Sequence, residues 1–67
     1  MEKDWELVKA FNKAYVADIA LEVLADNKIR GVILNKKDSS YMSFGDVEVY
    51  VHESNLEKAK ELLKELN

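Results

Sequence analysis

The hydrophobic positions fall into stretches of different period, and each stretch predicts an element. From Trp5 to Phe11 two sets interleave, Trp5, Leu7, Lys9, Phe11 and Glu6, Val8, Ala10, an alternation that suits a strand. Both sets mix apolar with charged residues, so the face turned to the core stays open. Asn12 offers a side-chain oxygen to cap a helix. After it Val16, Ala17, Ala20, Val23 and Leu24 fall along one helical face, flanked by Ile19 and Leu21 and backed by Asp18 and Glu22. Asn27 is the expected stop. Ile29 to Leu34 is short and rich in β-branched residues, which predicts a second strand. Val47, Val49 and Val51 then alternate with Glu48, Tyr50 and His52, the clearest period of two in the chain and the mark of a strand with one buried face. Ser54-Asn55-Leu56-Glu57 reads as a capping box. It opens a helix in which Leu56, Ala59, Leu63 and Leu66 recur while Lys58, Lys60, Glu61, Lys64 and Glu65 cover the rest.

The order β-α-β-β-α, with crossovers of the usual hand, predicts an α+β fold: a ferredoxin-like sandwich with two helices on one face of a three-stranded sheet. The third strand is expected in the middle and the other two at the edges. Residues 1–67 are read as one domain. So short a chain buries only about 60% of its unfolded surface, and two sheet edges with one uncovered face favour self-association, most simply a homodimer.

Composition narrows the partners. Lys and Arg number 10 against 13 Asp and Glu, for a net charge of -3, and the basic residues are scattered among acids. That argues against nucleic acid. There is no Cys, which excludes disulfides and thiolate metal centres. Met1-Glu2-Lys3-Asp4-Trp5 lacks the pattern of a signal peptide, and no apolar run approaches spanning length, so a cytoplasmic protein with no membrane contact is expected.

Candidate chemistry is sparse. His52 is the single histidine. Glu48 shares its strand face but lies about 13 Å away at strand rise, too far for joint metal ligation. Ser39, Ser40 and Ser54 lack a nucleophile-elbow context, and a triad would have to be assembled around His52. They read instead as turn and cap residues. Gly31 and Gly45 are isolated, so no phosphate cradle is formed. No catalytic residue, metal site or cofactor is therefore expected, and the chain is read as not an enzyme.

The segment Asn35 to Gly45 is about twice the length of an ordinary hairpin loop. Asn35, Lys36, Lys37, Asp38, Ser39 and Ser40 concentrate hydrogen-bonding groups around two cations, and Tyr41, Met42 and Phe44 follow. Asn35 through Tyr41 are the candidate ligand- or partner-binding residues. In that reading the lysines attract an anionic group and the serines orient it. A loop packed on itself, braced by Asn35 and Asp38, is the structural alternative.

The stretch Leu34-Asn-Lys-Lys-Asp-Ser-Ser-Tyr41 followed by Phe44-Gly-Asp-Val-Glu-Val-Tyr-Val51 resembles a small bacterial family described as putative prokaryotic signal-transducing protein. The resemblance extends to the opening Trp strand, the Asn-started helix with Tyr15 and Ala17, and the closing Glu-Lys-Ala-Lys-Glu-Leu-Leu helix. It implies a compact ferredoxin-like or nitrogen-regulator-like fold and no established enzymatic activity. One departure stands out: the family usually has Gly after the helix-one Asn, where this chain has Lys28. Together these observations predict a non-enzymatic regulatory module that contacts a protein or a small anionic ligand through its long loop and open sheet surfaces. A structural self-assembly domain with no ligand, and an enzyme whose site forms between subunits, are the alternatives.

Overall fold

A computed structural model describes residues 4–35 and 47–66. Its elements are β1 (Trp5–Phe11), α1 (Ala14–Asp26), β2 (Gly31–Asn35), β3 (Val47–His52), a 3-10 turn (Glu53–Asn55) and α2 (Leu56–Leu63). The strands form one antiparallel sheet in the order β1-β3-β2. This is the expected α+β, ferredoxin-like arrangement: β1 and β2 run parallel with β3 inserted between them, and α1 crosses over to join them. No helix among the described residues is long and apolar enough to cross a membrane.

Cross-strand pairs share a face, so the register sorts the side chains. Val47, Val49 and Val51 of β3 are buried, and with Phe11, Val16, Ala17, Ala20, Leu24, Ile29, Ala59 and Leu63 they form the core between sheet and helices. Glu48, Tyr50 and His52 face the opposite side. Gly31, paired with Val51, lies under α1. A Cβ there would come 2.7 Å from Leu21 Cδ2 and 3.0 Å from Leu24 Cδ1, so any side chain would require these two leucines to shift, and Gly31 gives them room.

β1 resolves its ambiguous pattern with a bulge. Leu7 pairs with Tyr50 and Lys9 with Val49, which leaves Val8 as an extra residue. Trp5 and Leu7 therefore point away from the helices, while Val8 packs against the core and Phe11 is buried in it. Lys9 falls on the helix side, where its Nζ donates to the carbonyls of Leu63 (3.3 Å), Lys64 (3.5 Å) and Leu66 at and just beyond the end of α2.

The helix ends differ from expectation. Lys13, not Asn12, occupies the N-cap position of α1, with no side-chain cap bond; its backbone carbonyl accepts from Val16 at 3.2 Å and Ala17 at 3.4 Å. β2 begins at Gly31 rather than Ile29, because Ile29 completes the C-terminal cap of α1. The capping box of Ser54 is absent: Asn55 precedes α2 with no side-chain bond, and His52 caps the 3-10 turn instead. α2 ends at Leu63, and Leu66 is held beyond it by its N–H bond to the Leu63 carbonyl at 3.0 Å.

Candidate functional site

Both helices pack on the Val49 side of the sheet, and no described element covers the other side. That uncovered face is built by alternate residues of all three strands. Trp5, Leu7 and Ala10 come from β1, His52, Tyr50 and Glu48 stand opposite them on β3, and Val32 and Leu34 complete it from β2. Leu7 is 43% and Leu34 39% exposed, so large apolar side chains stand open to solvent on this face.

The polar groups of this face are organised along β3. Glu48 is buried, and the Tyr50 hydroxyl donates to its Oε1 at 3.1 Å. A carboxylate thus lies between Ala10 and Leu34, its cross-strand neighbours. At the other end His52 and Trp5 meet edge to face, ring centroids 6.4 Å apart and planes at 80°.

Asp4, His52 and Ser54 come together here, the arrangement among the described residues that most resembles a catalytic one. His52 Nδ1 lies 2.9 Å from Ser54 Oγ and accepts the Ser54 backbone N–H at 3.1 Å, while Nε2 is 4.0 Å from Asp4 Oδ2. A backbone N–H can only donate, so Nδ1 is the acceptor and the proton of the neutral ring sits on Nε2. Nδ1 is thus shared between the Ser54 backbone N–H and the Ser54 hydroxyl, which both donate to it. The geometry is that of a turn cap between residues two apart in sequence. Among the described residues there is no group of three or more His, Asp or Glu side chains placed to hold a metal ion.

Of the sequence-derived site residues, Asn35 is the exposed last residue of β2, paired with Val47. Lys36, Lys37, Asp38, Ser39, Ser40 and Tyr41 lie outside the described residues, as do Met42, Phe44 and Gly45. The chain leaves the sheet at Asn35 and returns at Val47, so this segment springs from the end where Leu34, Glu48 and Ala10 line the uncovered face. Sequence reasoning weighed Ser54 with His52 and read Ser54 as a helix cap; it missed Asp4, which the register brings beside His52 through the pairing of Trp5 with His52.

No curated protein and no solved structure matches the chain. Residues 5–67 match the family model described as "Putative prokaryotic signal transducing protein", and with nearly the whole sequence covered the chain belongs to that family.

Proposed function

We propose that this protein is a non-enzymatic, cytoplasmic, signal-transduction-type interaction module. Its recognition surface is the uncovered sheet face together with the Asn35–Tyr41 segment that leaves the sheet beside it. The observation that carries the reading is the side-by-side placement of Trp5, Leu7, Val32, Leu34 and Tyr50 on a face that neither helix covers. Large aromatic and aliphatic groups around a few fixed polar atoms are the makings of a binding hot spot. Family membership supports a role in signalling rather than turnover. The use of His52 Nδ1 as a cap acceptor supports the absence of catalysis.

Within this reading Lys36 and Lys37 attract an anionic group on a protein or a small ligand, and Ser39 and Ser40 orient it. The test is to replace Lys36 and Lys37 together with Ala, confirm an unchanged melting temperature, and compare by mass spectrometry what co-purifies from the native host with variant and wild type. Selective loss of a protein or small molecule is expected. Full retention of everything the wild type carries would remove the segment from the site.

A further inference from the structure

The two edges of the sheet are unequal. β1 carries the devices that keep an edge strand from pairing with another chain: the bulge at Val8 breaks its hydrogen-bonding register, and Glu6 places an exposed charge on it. β2 carries neither. Its sequence, Gly-Val-Ile-Leu-Asn, has no charge, and it pairs with β3 residue for residue from Gly31 to Asn35 with no irregularity. Its outer side is the open edge of the sheet among the described elements.

We infer that β2 is a self-pairing edge, and that two copies of this chain join antiparallel through β2 into a continuous six-stranded sheet. A strand edge is its own complement under a two-fold axis perpendicular to the sheet, because antiparallel pairing exchanges N–H and C=O groups between equivalent strands. That axis keeps the same side of both sheets up. Both pairs of helices stay on one side, and Val32 and Leu34 of one copy meet Val32 and Leu34 of the other, covering the 39%-exposed Leu34. The bulge on β1 stops the assembly there. With one clean edge and one blocked edge the product is a closed dimer, not a filament. The uncovered faces of the two copies become one surface of twice the width, which gives a partner two equivalent contacts. A single five-residue strand pair is a small interface, so the association is weak and concentration-dependent.

The experiment uses the whole chain, without any partner. Sedimentation equilibrium and residue-resolved amide exchange are measured from about 10 µM to about 1 mM, the range in which weak association is read. In the monomer, alternate β2 amides point outward and exchange freely. The expected result is a monomer–dimer equilibrium in which one alternating set of β2 amides gains protection as concentration rises, with no gain on β1. Leu34→Lys should weaken dimerisation by about tenfold or more, since a charge at an edge opposes pairing. Leu7→Lys, on β1, should leave it unchanged. A monomer throughout, protection appearing on β1 instead, or loss of the dimer in Leu7→Lys but not Leu34→Lys would overturn the inference. If Leu34→Lys fails to fold, the exchange pattern of the wild type decides alone.

Discussion

The backbone N–H of Ile29 donates to the carbonyl of Leu24 at 2.8 Å, and between these two buried residues Lys28 is held at a φ of 62°. Lys28 itself donates to Ala25 at 2.9 Å. The two bonds make a Schellman cap, with Lys where Gly is usual and with Ile29 and Leu24 both in the core. The Asn27 side chain adds a bond from Nδ2 to the Val23 carbonyl at 2.9 Å.

Because an L side chain is disfavoured at that φ, Lys28→Gly is expected to stabilise the fold by about 0.4–1 kcal/mol, the relief of the left-handed conformation outweighing the greater freedom of Gly in the unfolded chain. Urea melts check this. A lower midpoint for the Gly variant would show that the Lys28 side chain contributes more than its backbone conformation costs.

Lys9 is a strand residue whose charge serves a helix end. Lys9→Met keeps most of the aliphatic stem but removes the donor to the Leu63, Lys64 and Leu66 carbonyls. The expected cost is about 1 kcal/mol, in the range for a cation at a helix C-terminus with charge-assisted bonds. The loss should be local: amide exchange at Leu63 and Leu66 should accelerate more than at Val49. Equal acceleration everywhere would mean the Nζ contacts contribute nothing specific.

His52 is assigned to capping, so its replacement should be felt in stability. His52→Ala removes the acceptor for the Ser54 N–H and is expected to cost about 0.5–1 kcal/mol, whereas His52→Asn, whose side-chain oxygen can accept the same N–H, should recover much of it. Thermal melts of the two variants separate the outcomes. Turnover in a broad activity screen that follows the purified protein and vanishes in His52→Ala would contradict the non-enzymatic reading.

The sequence is transparent where one period holds and opaque where local geometry breaks it. β3 is legible because Val47, Val49 and Val51 alternate without interruption and all end up buried. β1 is not, because the bulge at Val8 shifts the alternation midway: Trp5 and Leu7 belong to one face and Phe11 to the other, though all three sit at odd positions. A positive φ at Asn27 or Lys28 is legible only through the resemblance, from the Gly that the family usually has where this chain has Lys28, and it falls on Lys28. The true caps are not. His52 lies outside the residue types that mark a helix start, and Lys9 reaches α2 from 54 residues away in sequence. Gly31 is ambiguous until α1 is seen above it. The candidate site is half legible: the 35–41 segment announces itself by length and polarity and the element order implies an uncovered face, but whether Leu7 or Phe11 lines that face is settled only once the three strands are placed in register.

Recognition through the uncovered sheet face is tested by a matched pair of charge insertions. Leu7 on that face and Ile19 on α1 are almost equally exposed, at 43% and 45%, so Lys at either position should leave the fold and its stability nearly intact. The measurement is quantitative mass spectrometry of the proteins that co-purify from the native host with wild type, Leu7→Lys and Ile19→Lys. Partners enriched with wild type should persist with Ile19→Lys and be lost with Leu7→Lys. Retention of every partner by Leu7→Lys, or their loss from Ile19→Lys alone, would place recognition elsewhere on the molecule.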